Sequence, residues 1–396
     1  MEEVYIVEFL RTPFSRSRPK KPERDVFHQI RGDDLMAMVL DKLPERAGIE
    51  KRDVERILVG CAFPVSENWA YGGKGPALLA KYPAETSTTH IDMQCASSLV
   101  TTAYAYLEIA TGNVDVAIAG GYEHMTRVPM GADNPHITPN FKLAQEEYKE
   151  YDMQTGFIMG LTAERLFEEA EYLTKEDLDK WGLRSHQLAA KALKEGYFKG
   201  EIMPVEAPQA DGSVITVDSD QSIRMDTNLE QIASLPPAFK PGGVITAGNS
   251  SPLNAGATGL LLASKKKVQE LGLEPLAKIV AYGTAGVPPY VMGKGPVPAS
   301  RKALEKAGLK VSDIDYWEIN EAFAVVTLYA IHELGIEPER VNIKGGAIAI
   351  GHPLAASGAR LIGTLARILQ EKGGDYGVAT ACVGGGQGAA VVIERV

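Results

Sequence analysis

The chain has few cysteines and no long apolar run. Three cysteines among 396 residues cannot pair completely, and such scarcity is typical of a reducing compartment rather than a disulfide scaffold. No stretch of about 18 apolar residues occurs, so the sequence predicts no membrane span. The N-terminus lacks the basic and then apolar plan of a signal peptide, and the last residues carry no recognised address. We therefore expect a cytoplasmic protein.

Basic residues are also in the minority. The chain has 41 Lys and Arg against 51 Asp and Glu, which gives a net charge of −10. Affinity for a phosphate backbone comes from clustered Lys and Arg, so nucleic acid is not expected as the main partner. A net negative charge still allows one small anionic ligand to bind in a local basic pocket. The length of the chain predicts two or three domains.

The chain repeats itself at an offset of 260 residues, since Glu45–Gly60 resembles Glu305–Asn320. In each copy a helix end, an Ala-Gly turn and an acidic residue precede a buried strand. A helix start rich in small residues and a second strand follow. The strands are predicted at Arg56–Val59 and Val114–Ala119 in the first copy, and at Tyr316–Ile319 and Tyr376–Ala381 in the second. This alternation predicts two α/β halves with helices on both faces of each sheet.

A stretch of different character, about Met125 to Pro252, separates the halves. It has no repeat partner, it is dense in Pro and Gly, and it contains a charged run, Glu164–Lys199, that predicts a helix. We predict a first half at residues 1–124, completed by about 253–275, and a second half at 276–396. Residues 125–252 are then either an inserted loop domain or a purely structural excursion.

Four separate segments carry groups suited to acyl transfer. Cys95 lies in H-I-D-M-Q-C-A-S-S-L, Asn320 in N-E-A-F-A, His352 in A-I-G-H-P-L-A-A-S-G-A-R and Cys382 in A-T-A-C-V-G-G-G-Q-G. Two thiols, one imidazole and one amide fit a reaction that passes through a thioester. The adjacent glycines would let a backbone N–H approach a reacting oxygen. Zinc is a weaker interpretation, because no C-x-x-C or H-x-x-x-H spacing supports it.

Each of these residues also has a structural alternative. Cys95 precedes a predicted helix, Leu99–Ala110, whose N-terminus would lower the pKa of the thiol, but a buried structural cysteine is equally common. His352, held by a glycine and a proline, suits a base better than most lone histidines do. Glycines after Cys382 favour an oxyanion-binding loop, whereas Cys61 has no such neighbours and is predicted to be core.

Together the four segments resemble the thiolase family, through the pattern N-E-A-F-A … G-H-P-x-x-x-S-G-A-R … C-x-G-G-G-Q-G. The resemblance runs from Val4–Pro13 to Gly388–Val396. It implies duplicated α/β halves in a five-layered α-β-α-β-α sandwich, with an inserted loop domain that covers the active site and binds coenzyme A. It implies catalytic roles for Cys95, His352, Cys382, Asn320 and Gly384, and coenzyme A contacts for Arg224, Ser251, Met159, Phe239, Ala322 and Phe323.

The resemblance also implies an activity, the thiolytic cleavage of a 3-ketoacyl-CoA through an acyl-cysteine. Coenzyme A would be a substrate, with no tightly bound cofactor and no metal. A homodimer or homotetramer is implied, and a second enzyme chain of β-oxidation is a possible partner. The alternatives are a biosynthetic acetoacetyl-CoA thiolase, a decarboxylating ketoacyl synthase, and a non-catalytic lipid-binding or scaffold protein. The last would be expected to have lost Cys95, His352 or Cys382.

Some positions depart from the family pattern. Asp92 stands where many thiolases have Asn, and a carboxylate there would oppose formation of a thiolate. Ile158 replaces the histidine of many biosynthetic members, and Y-G-G-K-G at Tyr71–Gly75 replaces N-x-A-R. Ser98 and the segment Glu123–Met130 resemble thiolases of bacterial fatty-acid oxidation complexes. Ile158, Ser98 and the segment Glu123–Met130 favour degradative 3-ketoacyl-CoA substrates.

Overall fold

A computed structural model describes residues 2–131 and 134–396 of the chain. The strands are β1 Val4–Arg11, β2 Ser15–Arg16, β3 Arg56–Gly60, β4 Ser87–Ile91, β5 Val116–His124, β6 Val205–Pro208, β7 Val214–Val217, β8 Asn254–Ser264, β9 Ala277–Gly286, β10 Tyr316–Ile319, β11 Tyr376–Val383 and β12 Gln387–Glu394. The helices are α1 Gly32–Ala47, α2 Lys74–Leu79, α3 Ser97–Ala110, α4 Met153–Gly156, α5 Met159–Glu169, α6 Lys175–Lys194, α7 Leu229–Ala233, α8 Lys265–Leu271, α9 Pro296–Ala307, α10 Ala324–Leu334, α11 Ala347–Ile350 and α12 Leu354–Lys372.

The sheet topology repeats the duplication seen in the sequence. The strand order is β10-β11-β12-β9-β1-β8-β5-β3-β4, with β2 paired to β8. The run β3-β5-β8-β1 recurs as β10-β11-β12-β9, and each run has one parallel pair followed by two antiparallel pairs. The two halves join where β1 pairs with β9 over three residues. The α/β duplication predicted from the repeat is confirmed.

The helices complete five layers around these strands. Helix α1 covers one face of β1, β5 and β8, and α9 covers β9, β11 and β12. Helices α3 and α12 lie between the two halves, pack on each other, and contact strands of both. Their close approach depends on Gly358, where a Cβ would lie 2.4 Å from the backbone N of Leu99. The predicted α-β-α-β-α sandwich is confirmed.

Strand β1 shows how the pattern of side chains builds these layers. Val7 and Leu10 both join the apolar core under α1, although their odd spacing would place them on opposite faces of a regular strand. Ile6 and Phe9 instead enter the central core around α3 and α12. A register shift between Ile6 and Glu8, where β1 pairs with β8, accompanies the change of face along the strand. Helices α3 and α12, which form the central layer, are therefore buried between the strands of the two halves.

Several predicted boundaries are wrong. Strand β5 runs Val116–His124 instead of Val114–Ala119, because its pairing with β8 continues as far as His124 opposite Ala255. The charged run Glu164–Lys199 is not one helix. Helix α5 ends at Glu169, and α6 begins after Thr174 with a capping box, in which the side chain of Thr174 accepts from the N–H of Asp177 and the reverse bond also forms. Such a box satisfies N–H groups at a new helix start.

The chain leaves the sheet after β5 and returns at β8, although these strands are neighbours. Of the residues between them, Ala132 and Asp133 lie outside the described part. The excursion carries α4 to α7 and a separate hairpin of β6 and β7, and α6 packs on α10 and α11 of the second half. Within the described residues, no helix is both long enough and apolar enough to cross a membrane.

Candidate active site

The four predicted catalytic side chains lie at the seam between the halves. Asn320 follows β10, Cys382 is near the end of β11, and His352 lies just before α12. Cys95 belongs to the 3-10 turn Gln94–Ala96 that precedes α3. This turn packs against both α12 and β11. The ends of two strands and two helices therefore bring the four side chains together. All four residues are buried.

A strained backbone positions the turn that carries Cys95. Gln94 has a φ of 47°, a left-handed conformation that is uncommon outside glycine. Asp92 Oδ1 accepts from the backbone N of Gln94 at 2.8 Å and from its Nε2 at 3.1 Å. Gln94 Nε2 also donates to the carbonyl of Ala62 at 2.9 Å. The unusual carboxylate therefore holds the turn before the nucleophile.

The expectation that the helix start lowers the pKa of Cys95 is wrong. Burial raises the pKa of this thiol to about 12, although the N–H groups of Gly384 and Cys95 itself act in the opposite direction. The carboxylates of Glu123 and Asp92 raise it further. Desolvation of the thiolate outweighs the N–H groups. The thiol is thus protonated at neutral pH, and a base must remove its proton when it attacks.

His352 is the residue that the sequence predicts as that base. Its Nδ1 lies 2.6 Å from Ser357 Oγ, and Ser357 Oγ can donate to the carbonyl of Pro353 at 3.5 Å. The hydroxyl therefore accepts the proton of Nδ1, which leaves Nε2 as an acceptor. Burial, helped by the charge of Arg360, lowers the pKa of His352 to about 3. The imidazole is neutral at physiological pH and can accept a proton through Nε2.

Asn320 contacts the other ring nitrogen of His352. Its Nδ2 lies 3.3 Å from Nε2 of His352, and its backbone N donates to the carbonyl of Thr380 at 2.9 Å. The Oδ1 atom of Asn320 is buried and has no partner among the described residues. A buried amide oxygen of this kind normally finds a donor. It is thus suited to hold a water or a substrate group beside His352.

The glycine loop after Cys382 supplies a backbone donor. Gly385 and Gly386 have φ values of 87° and 85°, and a Cβ at Gly386 would lie 2.3 Å from the carbonyl oxygen of Val287. Only glycine fits this turn, which brings the N–H of Gly384 to Cys95. Burial and the neighbouring Cys95 raise the pKa of Cys382 well above its ordinary value. The two thiols are therefore close and both protonated.

Sequence reasoning missed Asn254, the first residue of β8. Its Oδ1 accepts from the backbone N of His352 at 2.8 Å, and its Nδ2 donates to the carbonyl of Ser15 at 2.7 Å and to Ser222 Oγ at 3.2 Å. A Cβ at Gly351, whose φ is 118°, would lie 2.7 Å from Asn254 Nδ2. An asparagine at the start of a strand usually indicates a turn, so no signal in the sequence distinguishes Asn254 from an ordinary turn residue.

Glu123 was also missed as a residue of the site. Its carboxylate is fully buried and accepts from the backbone N of Ala62 at 2.9 Å and from Asn68 Nδ2 at 3.3 Å. Burial raises the pKa of Glu123 to about 7. Cys61 is core as predicted, but its Sγ donates to Glu123 Oε1 at 3.4 Å. Glu123 thus holds Ala62 in place, and the carbonyl of Ala62 accepts the hydrogen bond from Gln94.

Most residues predicted to contact coenzyme A lie in one group next to the catalytic centre. The ring centroids of Phe239 and Phe323 are 6.0 Å apart, and a Cβ at Gly384 would lie 3.3 Å from Met159 Sδ. The backbone N of Ser251 donates to the carbonyl of Ala322 at 3.0 Å. Arg224 lies apart from this group, at a cavity of about 550 Å³. Within the described residues, no set of three or more His, Cys, Asp or Glu side chains is placed to hold a metal.

Removing the hydroxyl of Ser357 is expected to impair His352 without unfolding the protein. In Ser357→Ala the buried Nδ1–H loses its acceptor, and an unsatisfied buried group costs about 1–3 kcal/mol. The imidazole then favours the tautomer with the proton on Nε2, which cannot accept one. We expect kcat for acyl transfer to fall about 5- to 150-fold, measured by steady-state kinetics.

Ser300→Ala is the matched control for this variant. Ser300 is equally buried, but its Oγ has no partner among the described residues, so its removal should leave kcat within about twofold. An unchanged kcat in Ser357→Ala, or an equal loss in both variants, would contradict the role assigned to Ser357.

The fold is that of the thiolase family, to which the chain belongs. It matches the family description "Thiolase, N-terminal domain" over residues 4–266 and "Thiolase, C-terminal domain" over residues 273–395. It is 41% identical to the 3-ketoacyl-CoA thiolase of Marinobacter nauticus, covering 100% of this chain and 98% of that protein. It is 40% identical to the 3-ketoacyl-CoA thiolase of Hahella chejuensis, with the same coverage.

Solved structures agree with these relatives. The crystal structure of human mitochondrial 3-ketoacyl-CoA thiolase superimposes with a TM-score of 0.88 at 33% identity, covering 100% of this chain and 99% of that one. The same human enzyme in complex with CoA gives a TM-score of 0.88 at 33% identity, covering 100% and 98%.

Proposed function

We propose that this protein catalyses the thiolytic cleavage of 3-ketoacyl-CoA by coenzyme A, giving acetyl-CoA and a shortened acyl-CoA. The observation that supports this most is the clustering of two protonated thiols with a neutral imidazole. Cys95 lies beside Cys382 and the N–H of Gly384, and His352 Nε2 lies beside Asn320. One thiol can form the thioester while the other carries protons, which is what a two-step acyl transfer needs.

In the first half-reaction His352 removes the proton of Cys95 as Sγ attacks the 3-keto carbon. The N–H groups of Cys95 and Gly384, which both act on the Cys95 sulfur, would donate to the resulting oxyanion. The bond between carbons 2 and 3 then breaks, and its electron pair forms the enolate of acetyl-CoA. Protonated His352, and a water held by Asn320, donate to the enolate oxygen. Cys382 protonates carbon 2, and acetyl-CoA leaves an acyl group on Cys95.

In the second half-reaction the Cys382 thiolate takes the proton of an incoming coenzyme A thiol. The coenzyme A sulfur attacks the acyl carbon, and the oxyanion again accepts from Cys95 and Gly384. Collapse of this intermediate expels the Cys95 thiolate, which recovers its proton from His352. The shortened acyl-CoA leaves, so every proton returns to its original group.

Coenzyme A binding is assigned to the excursion at 125–252 together with its neighbours. The group formed by Met159, Phe239, Ala322, Phe323 and Ser251 would surround the pantetheine arm, and Arg224 would lie at the nucleotide. We also propose that residues 1–124, completed by about 253–275, form the first half and that residues 276–396 form the second half. Coenzyme A acts as substrate, with no tightly bound cofactor.

The alternatives fit less well. Cleavage and condensation share one transition state, so a biosynthetic acetoacetyl-CoA thiolase would use the same residues; the relatives named 3-ketoacyl-CoA thiolase favour cleavage. A ketoacyl synthase would be expected to use a second histidine, or a histidine with an asparagine, instead of Cys382. A non-catalytic scaffold would not be expected to retain Cys95, His352 and Cys382 together.

A series of 3-ketoacyl-CoA substrates tests both the activity and the chain length. Ile158 is about half exposed where biosynthetic members present histidine, and each buried methylene contributes about 0.8 kcal/mol, or about fourfold. We expect kcat/KM for thiolysis to rise from four to six or eight carbons. A steep fall beyond four carbons would reject the broad acyl pocket, and absence of thiolysis with every substrate would reject the activity itself.

We also propose that the protein is a homodimer or homotetramer in the cytoplasm, with a β-oxidation enzyme as a possible partner. Strand β4 lies at one edge of the sheet, and Trp69, Tyr71, Leu78 and Leu79 are more than half exposed near it. Exposed apolar groups beside an unpaired edge favour association. Light scattering at micromolar concentration should give a multiple of 42.6 kDa, and the mass of one chain would contradict the proposal.

A further inference from the structure

The buried carboxylate of Glu123 lies between the segments that carry Cys95 and His352, and no step of the proposed reaction uses it. Glu123 is the next to last residue of β5. The preceding side chain, Tyr122, belongs to the apolar core under α1. Because successive side chains of a strand point to opposite faces, Glu123 faces the central layer instead. Carboxylates are seldom fully buried without a cation, yet its hydrogen-bond partners are all uncharged groups.

A first chain of contacts leads from Glu123 to the turn of Cys95. Glu123 Oε2 accepts from the backbone N of Ala62 at 2.9 Å. The carbonyl of Ala62 in turn accepts from Gln94 Nε2 at 2.9 Å. Ala62 and Cys95 also belong to one small apolar cluster. A shift of Ala62 would therefore move the residue that immediately precedes the nucleophile.

A second set of contacts leads to the first turn of α12, which begins just after His352. The backbone N–H groups of Ala355 and Phe63 stabilise the carboxylate of Glu123. The N–H of Ala355 is at a helix start, where N–H groups lack a partner within the helix and favour a negative charge. Strand β5 and α12 approach closely here, since a Cβ at Gly121 would lie 2.3 Å from the carbonyl oxygen of Ala355. Glu123 therefore joins β5 to the segment that carries the base.

Further donors hold the carboxylate itself in place. Asn68 Nδ2 donates to Oε1 of Glu123 at 3.3 Å, and Cys61 Sγ donates to the same oxygen at 3.4 Å. The hydroxyl of Tyr122 donates to the carbonyl of Asn68 at 2.8 Å, which fixes this partner from the other face of the strand. Both oxygens of Glu123 therefore have donors, and these donors come from different segments of the chain.

We propose that Glu123 is a positioning residue for acyl transfer, which fixes the turn of Cys95 relative to the start of α12 and thereby sets the distance from the nucleophile to His352. The inference rests on the proposed function for its reaction, and it adds a residue of β5 that acts only through others. A misplacement of reacting groups by about 1 Å can reduce a rate on the order of a hundredfold. A buried residue that holds two catalytic segments together can therefore control the rate without contacting the substrate.

The test separates the placement of Cys95 from the reactivity of its thiol. In Glu123→Gln the side chain keeps its shape, but one of its two acceptor oxygens becomes an amide donor, so the contacts with the N–H groups of Ala62 and Ala355 are weakened. We expect the rate of Cys95 acylation at saturating 3-ketoacyl-CoA, measured by rapid quench, to fall about ten- to hundredfold, while the Kd for coenzyme A stays within about twofold. Calorimetric titration gives this Kd.

Alkylation by iodoacetamide measures the Cys95 thiol alone, because the reagent reacts with the thiolate directly. Burial raises the pKa of Glu123 to about 7, so at about pH 9 Glu123 is ionised, and its charge and that of Asp92 oppose the Cys95 thiolate. The nearby Cys61 and Tyr122 have pKa values raised well above their ordinary ones and stay neutral. Glu123→Gln should therefore raise the alkylation rate of Cys95 about three- to tenfold. Slower acylation with faster alkylation indicates lost placement, whereas structural damage would also expose Cys61 to alkylation.

Asp25→Asn is the matched control. Asp25 is also a buried carboxylate, and it accepts from the backbone N of Phe27 at 3.0 Å and from Ser17 Oγ at 3.4 Å. None of these partners carries a catalytic group, so acylation and alkylation of Cys95 should both stay within about twofold. Glu123→Asp keeps the charge but shortens the side chain by one methylene. It should slow acylation without raising alkylation, and it carries the test if Glu123→Gln fails to fold.

Two results would overturn the proposal. The first is an unchanged acylation rate in Glu123→Gln and Glu123→Asp. The second is an equal loss of acylation in Asp25→Asn. Acetyl-CoA as the acyl donor separates this failure from that of the proposed function, because acetylation of Cys95 needs the same alignment with His352 but no cleavage of a 3-ketoacyl chain. A protein that cleaves no 3-ketoacyl-CoA can still show, or fail to show, a loss of acetylation that depends on Glu123.

Discussion

Cys95→Ser is expected to reduce thiolysis by about ten-thousandfold or more. A serine hydroxyl is a far weaker acid than a thiol, and the proposed base, His352, has a pKa lowered to about 3 by burial. Loss of a covalent nucleophile removes a step that no other group supplies, and such losses are typically of this size. Steady-state thiolysis assays of purified protein give the magnitude.

The site of acylation gives a second and independent measurement. After brief incubation of the unaltered protein with a 3-ketoacyl-CoA and an acid quench, peptide mass analysis should place the acyl group on Cys95. Cys61→Ser is the matched control, because Cys61 is just as buried and also close to Glu123, and it should keep acylation of Cys95. An acyl group on Cys61 or Cys382 instead would refute the assignment of the nucleophile.

Cys382→Ser is expected to have the second largest effect, with a different kinetic signature. General acid–base catalysis contributes on the order of a hundred- to ten-thousandfold per proton transfer, and Cys382 is proposed to act in both half-reactions. Turnover should fall by several orders of magnitude. Acylation of Cys95 should continue slowly, because His352 can still activate the nucleophile.

The deacylation step isolates the role of Cys382. In Cys382→Ser the acyl-enzyme should accumulate, because the serine hydroxyl is too weak an acid to supply the base that activates coenzyme A. Rapid-quench measurement of bound acyl groups in the presence of coenzyme A checks this result. Turnover near that of the unaltered protein would contradict the role of Cys382, and an equal loss with no acyl-enzyme would indicate structural damage.

Local patterns in the sequence predicted the architecture well where periodicity decides it. The strand predicted at Tyr316–Ile319 has its observed bounds, and the repeat predicts two α/β halves, whose strand orders match in the structure. Boundaries failed where distant partners decide them. The end of β5 depends on pairing with β8. The division of the charged run into α5 and α6 depends instead on a local feature, the capping box of Thr174 and Asp177.

The sequence by itself determined the duplicated fold, the membership of the thiolase family and the four chemical groups of the centre. These follow from residue types, spacing and periodicity, which are properties of the chain alone. Only the tertiary structure decided how those groups ionise. Burial outweighs the helix start at Cys95, and Ser357 fixes the tautomer of His352.

Tertiary structure also revealed Asn254 and Glu123, because each contacts residues far from it along the chain. Desolvation, hydrogen-bond partners and the sum of nearby charges are set by distances in space, and those distances exist only once the two halves have packed together.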